Sequence, residues 1–205
     1  MNNAPAIFLG IFMVFASAWL GLIFAPYAQL SGLAPVVPAE GGDAYPRPLG
    51  GLAAQGRMIY RANGCIYCHS QQIRSERFGT DIARGWGPRR TVARDYIYDS
   101  PHLLGSMRTG PDLANIGARQ PSAQWHHRHL FNPTWTSPGS IMAPFSFLYE
   151  KRKIVGQKSV DALPIPKDYP LADGYEIVPS DHAKALVAYL QALDHTTPLP
   201  EAEDQ

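Results

Sequence analysis

Residues 52–69 read LAAQGRMIYRANGCIYCH, and the last five, Cys65-Ile66-Tyr67-Cys68-His69, decide how the rest of the chain is read. Cys65 and Cys68 are the only cysteines in the 205 residues. Two thiols three residues apart can reach the two vinyl groups along one edge of a porphyrin, and the adjacent imidazole can then bind the iron. A structural zinc site needs four nitrogen or sulfur ligands, and there is no second cysteine pair to supply them. A thioredoxin-type dithiol follows a strand in a βαβ alternation, whereas the residues before Cys65 carry a helical pattern. The motif therefore predicts one covalently bound haem c, a centre that moves single electrons.

In the preceding segment Ala53, Gly56, Ile59 and Tyr60 share one helical face, and Gly64 is placed to stop the helix. Near the far end, Ser180 or Asp181 can cap a second helix, with Ala185, Leu186, Tyr189, Leu190 and Leu193 as its apolar stripe. A helix leading into the attachment motif and a helix closing the domain resemble the crossed terminal helices of class I cytochromes c. Gly56 would let them approach closely, with Tyr60 and Tyr189 near the crossing. The expected fold is all-α: a single N-terminal transmembrane helix followed by a class I cytochrome c-like haem domain with long loops.

No charged side chain occurs before Glu40. Within that stretch Ala6–Ala25 reads AIFLGIFMVFASAWLGLIFA, and twenty such residues as a helix span about 30 Å, the thickness of a bilayer core. Pro26 and Tyr27 are expected to end it, so that residues 6–27 meet the lipid with Tyr27 and Trp19 at the interface. MNNAPA lacks the basic start of a cleaved signal peptide, which favours a retained anchor. The organisation expected is an anchor over 1–30, a Pro/Gly-rich linker over 31–50, a monohaem domain over 51–195 and a frayed tail over 196–205. Arg74, Arg77, Arg84, Arg89, Arg90 and Arg94 crowd one stretch, yet the net charge is only +1 and no nucleic-acid motif accompanies them.

The iron needs a second axial ligand, and methionine raises its potential relative to a second histidine. Met58 lies on the helix before the motif and is expected to face the core, and Met107 precedes Thr109-Gly110-Pro111-Asp112-Leu113. In class I cytochromes the attachment motif is followed by G-P-x-L and then by the ligand methionine. Met142, in the loop Pro138–Pro144, fits that order. The carbonyl of Pro111 can accept from the free ring nitrogen of His69 and fix its tautomer. The rival ligands are His126 and His129, which are i, i+3 on a short helix. His102, His182 and His195 read as surface or supporting residues.

Taken together, the stretches Cys65–Arg74, Tyr98–Pro101, Gly105–Leu113, Trp125-His126, His129–Pro133 and the Ser140/Met142/Pro144 loop resemble subunit II of cbb3-type cytochrome c oxidases, the CcoO/FixO family. Pro144 stands one residue later than usual in that family, and residues 84–94 and 151–179 diverge. The resemblance implies a membrane-anchored subunit beside a haem-copper catalytic subunit and other cytochrome c subunits. It would take electrons from a cytochrome c donor and pass them to haem b, while oxygen reduction occurs in the partner. The chain itself would carry a wire and no catalytic centre. Arg74 would pair with a haem propionate or an interface. Attachment of c-type haem on the outer face of the bacterial inner membrane would place the N-terminus in the cytoplasm and the haem domain in the periplasm. The alternatives are the cytochrome subunit of a related nitric oxide reductase, and a free-standing membrane-tethered shuttle or haem sensor.

Overall fold

The computed structural model describes residues 3–38 and 41–203. The ends of the expected anchor and tail (Met1, Asn2, Asp204, Gln205) and two linker positions (Ala39, Glu40) lie outside the described residues. The chain divides into two compact units, Met1–Pro46 with Ala93–Ile97, and Arg47–Val92 with Tyr98–Gln205.

In the first unit, α1 (Ala4–Trp19), a π-helical turn (Leu20–Phe24) and α2 (Ala25–Leu30) run on without a break. The resulting 27-residue helix, with an exposed apolar surface and an 18-residue stretch of mean hydropathy 2.4, is long and apolar enough to cross a membrane. Pro26 does not end it, contrary to expectation. A proline ring inside a regular α-helix collides with the carbonyl four residues back. Here the N–H of Ala25 donates to the carbonyl of Leu20, five residues back, and the wider turn makes room for the ring. Beyond the helix the linker is partly structured. Val36 and Tyr45 exchange backbone hydrogen bonds of 2.8 Å, and the Tyr45 hydroxyl donates to Asp95 at 2.6 Å. Arg94 donates to the carbonyl of Ala34.

The second unit is organised by α3 (Gly51–Ala62) and α6 (Asp181–Ala192). Ser180 Oγ accepts from the N–H of Ala183 at 3.3 Å and caps α6. Gly64, at φ +70°, takes the left-handed position that ends α3. The two helices cross at Gly56, where an added Cβ would lie 1.9 Å from the carbonyl oxygen of Ala185. The rings of Tyr60 and Tyr189 meet edge to face at 5.4 Å beside this point. Shorter helices α4 (Ile116–Arg119) and α5 (Ala123–Phe131) pack on α6, and Leu103, Ile116, Leu130, Phe131 and Leu186 join the same core. Met58 faces solvent at 63% exposure, because the side of α3 that meets α6 is the one bearing Gly56 and Tyr60.

The fold is not all-α. Strands β1 (Tyr149–Lys153) and β2 (Tyr175–Pro179) pair antiparallel, with Tyr149 opposite Pro179 and Lys153 opposite Tyr175. Neither strand alternates. β1 exposes four of its five residues in a row, and β2 buries four in a row, so the period-two signal of a half-buried strand is missing from both. Arg152 and the N–H of Ser159 share the buried carboxylate of Glu176, at 2.9 and 2.7 Å, and fasten the connecting loop to the pair. The described part of the tail is packed and not frayed. Leu199 and Ala202 are buried, Arg89 donates to the carbonyl of Thr197 at 2.7 Å, and Arg90 donates to that of Glu201. Much of the arginine-rich stretch thus serves the chain's own backbone.

Candidate functional site

The attachment turn follows directly from the end of α3. After Gly64 the chain makes a single 3₁₀ turn over Cys65–Tyr67, and the N–H groups of Cys68 and His69 both donate to the carbonyl of Cys65, at 3.2 and 3.0 Å. Both thiols and the imidazole therefore leave from one turn. Neither cysteine is in a disulfide; Cys65 is half-buried and Cys68 exposed. Burial pushes the Cys65 thiol up to about 11. A redox-active dithiol has the opposite character, a depressed thiol pKa. Among the described residues no group of three or more His, Cys, Asp or Glu side chains is placed to hold a metal ion, so a tetrahedral zinc site is not assembled around the pair.

His69 is fixed in orientation and tautomer. Its Nδ1 lies 2.7 Å from the carbonyl oxygen of Pro111. A carbonyl only accepts, so Nδ1 carries the proton and the lone pair of Nε2 is left for a metal. Gly110 lies flat against the ring; a Cβ there would sit 2.3 Å from Cε1. Burial holds the His69 pKa below the ordinary histidine value, and the hydrogen bond to Pro111 opposes that shift. The flanking backbone is stitched to the same segment. Gly110 N–H donates to Cys68 O at 2.9 Å, Leu113 N–H to Ser70 O at 2.8 Å, and Gln71 N–H to Leu104 O at 2.8 Å.

A buried charge network locks this arrangement. Asp112, fully buried, accepts from Ser70 Oγ at 2.6 Å and from the backbone N–H groups of Gln72 and Ala114 at 2.8 Å. Arg108 donates to Ser70 Oγ and Asp81 Oδ1, both at 2.7 Å, and to the carbonyl of Gln72 at 2.5 Å. Its guanidinium also lies 5.1 Å from the ring centre of Trp86, on which Arg84 rests as well at 5.2 Å. Arg74 pairs with Asp81 through Nε at 3.3 Å and Nη2 at 3.2 Å, and its N–H donates to the same carboxylate at 2.8 Å. Burial pushes Asp81 up, but the hydrogen bonds from Arg108 and Arg74 outweigh it and bring the pKa down to about 2. Arg108 is the centre of the network, and sequence reading gave it no role. Only its place in the R-T-G-P-D-L run, two residues before Gly110, marked the neighbourhood. Arg119 is a second such residue. It donates to the carbonyl of Asp112, and its Nε is buried without a hydrogen-bond partner among the described residues.

The candidates for the other axial position are held differently. Met142 is half-buried, packs on the core cluster that Cys65, Ile66 and Leu113 also touch, and has its N–H 3.2 Å from Ser140 Oγ. The neighbouring Ile141 is 81% exposed. His126 Nε2 donates to the carbonyl of Gln120 at 2.7 Å, and His129 Nδ1 lies 2.6 Å from Thr136 Oγ1, with the ring stacked on Trp125 at 4.8 Å. These two histidines thus have separate partners. Burial first, then the neighbouring His126 and His69, push His129 down to about 4. Met107 is exposed, and His195 is buried with its N–H on Asn115 Oδ1 at 2.9 Å.

This geometry meets a direct comparison with known families. Residues 42–163, more than half of the chain, match the family model described as cytochrome c oxidase, mono-haem subunit/FixO. The chain belongs to the FixO family. FixO proteins are mono-haem subunits of cytochrome c oxidase, and the matched span holds the attachment turn, Pro111, Arg108 and Met142. No curated protein matches the chain in a whole-sequence comparison. The residues present fit the haem that the family implies. They offer two unpaired thiols on one turn, an imidazole with Nε2 left open, a glycine flat against that imidazole, and a thioether on the same core cluster.

Proposed function

We propose that this FixO chain binds a single haem c through thioether bonds at Cys65 and Cys68, with His69 and Met142 as axial ligands. In that role it passes electrons from a cytochrome c donor to haem b of a haem-copper catalytic subunit. The observation that carries the reading is the hydrogen bond from His69 Nδ1 to Pro111, beside two unpaired thiols on the preceding turn. It presents Nε2 without any further movement of the ring. When bound, the haem supplies a one-electron couple. The chain supplies the rest. Pro111 and Gly110 orient the imidazole, and the Asp81–Arg108–Asp112 network keeps Pro111 in place. Met142 offers a sulfur that raises the potential relative to nitrogen. Arg119, with its buried Nε and its guanidinium beside the Pro111-Asp112 backbone, is the candidate for a haem propionate. Arg74 is already held by Asp81.

The helix Ala4–Leu30 would anchor the subunit in the bacterial inner membrane, with its N-terminus cytoplasmic and the haem domain periplasmic. Purification in mild detergent tests the reading. The chain should show a c-type pyridine haemochrome spectrum and co-purify with a haem-copper subunit in fixed proportion. Elution of the chain alone, with its haem, would instead favour a tethered shuttle.

A further inference from the structure

The loop that follows β1 turns two apolar side chains to the outside. Val155 is 89% exposed and Val160 wholly so. One exposed valine is ordinary on a protein surface, but these two belong to a loop that the chain holds in place. Arg152 Nη2 donates to Ser159 Oγ at 2.6 Å, Ser159 N–H donates to Glu176 at 2.7 Å, and Lys184 pairs with Asp161 at 2.6 Å. Val160 therefore stands between two fastened neighbours. On the other arm Ile154 N–H donates to the carbonyl of Gly174 at 2.8 Å, and Gly156, at φ +78°, makes the turn after Val155.

Lysines surround the valines. Lys151 and Lys153 take alternate positions of β1 and so share one face. The Lys151 ammonium lies 5.2 Å from the ring centre of Tyr175, the residue opposite Lys153. Lys158 lies between the two valines in sequence. Glu150 and Arg152 occupy the other face, where Arg152 is paired with Glu176. Glu176 and Asp161 are thus both neutralised within the chain, and Asp173, next to Gly174, is the acid that stands nearest the lysines in sequence across the pair.

We propose that residues 151–160, with Tyr175, form a contact with the bilayer surface that takes anionic phospholipid headgroups. The inference rests on the membrane-anchor reading above and adds to it a second point of attachment. The 20 residues between Leu30 and Gly51 span at most about 70 Å when extended, so the domain stays within reach of the surface its helix crosses. Lysines on long apolar stems bring charge to lipid phosphates. A tyrosine ring suits the headgroup level, and outward valines suit the boundary with the acyl chains. An acidic protein segment would match the lysines and leave the valines in water.

The test uses the membrane complex isolated with this subunit in place and returned to vesicles of phosphatidylcholine, with or without phosphatidylglycerol. A photo-crosslinking amino acid replaces Val160, and the adduct is identified by mass. The expected product is a phospholipid adduct, enriched in phosphatidylglycerol above its share of the vesicle. A crosslink to a protein, no adduct, or an adduct that follows bulk lipid composition overturns the proposal. In parallel, Lys151→Glu with Lys153→Glu should cut the adduct at least about tenfold, and arginine at both positions should retain most of it. An undiminished adduct in the glutamate variant also overturns the proposal. The same vesicles are washed with alkaline carbonate. Release of the chain would sink the anchor and this contact together, whereas retention without a lipid adduct would sink the contact alone.

Discussion

The two sides of the expected iron position are built in opposite ways. On the His69 side, the segments 68–72 and 104–114 are joined by backbone hydrogen bonds, a buried carboxylate and a guanidinium with several partners. On the Met142 side the loop is held by hydrogen bonds alone, from Met142 N–H to Ser140 Oγ, from Ser140 N–H to the carbonyl of Ser137 at 3.0 Å and from Phe145 N–H to the carbonyl of Leu130 at 2.8 Å, next to an isoleucine turned to water. The imidazole is oriented by the protein itself. The thioether sits in a loop, Pro138–Pro144, that carries no charged side chain, so iron binding would add more to its order than to that of the imidazole.

The largest effect expected is from Cys68→Ser, which should abolish stable haem retention and most of the cooperative unfolding transition, read by circular dichroism. On the proposed reading the haem contributes to the core, and its loss would remove that buried surface. Next is Arg108→Gln, which leaves Asp81 and Asp112 buried with weakened pairing. Breaking a buried network in this way costs about 3–5 kcal/mol, measurable by denaturant unfolding. Ser140→Ala, on the other side, should cost no more than about 1 kcal/mol. Similar losses from these two substitutions would erase the asymmetry. Gly110→Ala should cost about 1–3 kcal/mol by overpacking against the His69 ring and shift the ferric spectrum. Met142→Ala should lower the reduction potential and leave the haem attached. An unchanged potential would return the choice of ligand to His129.

A pH titration probes the network most gently. The pKa of Asp81 is depressed to about 2 from an ordinary value of 3.8, so its contribution to stability is present above about 4. That contribution is lost as pH falls through the interval between the two values. Denaturant midpoints for the unmodified chain should drop across this window, and Asp81→Asn should flatten the drop.

The parts of the fold that were legible in the sequence are those whose signal is local. The stripes of α3 and α6, the Ser180 cap and the Gly64 stop each depend on residues within one or two turns. The same holds for the attachment motif and for Pro111, which stand in fixed order along the chain. What was missed depends on distant partners. Arg108 reads as one more surface arginine until Asp81, 27 positions earlier, is folded against it. Strands β1 and β2 hide because a polar run and an apolar run pair with each other, so neither alternates. Pro26 reads as a stop because the π-turn that accommodates it has no signature in residue type. The tail reads as frayed because its hold comes from Arg89 and Arg90, more than 100 residues away.

Proteolysis of the purified subunit followed by mass mapping tests the central claim most directly. The account predicts one peptide containing both Cys65 and Cys68, heavier by one haem and unable to react with a thiol alkylator. The same peptide recovered with two alkylated cysteines and no added mass would contradict it.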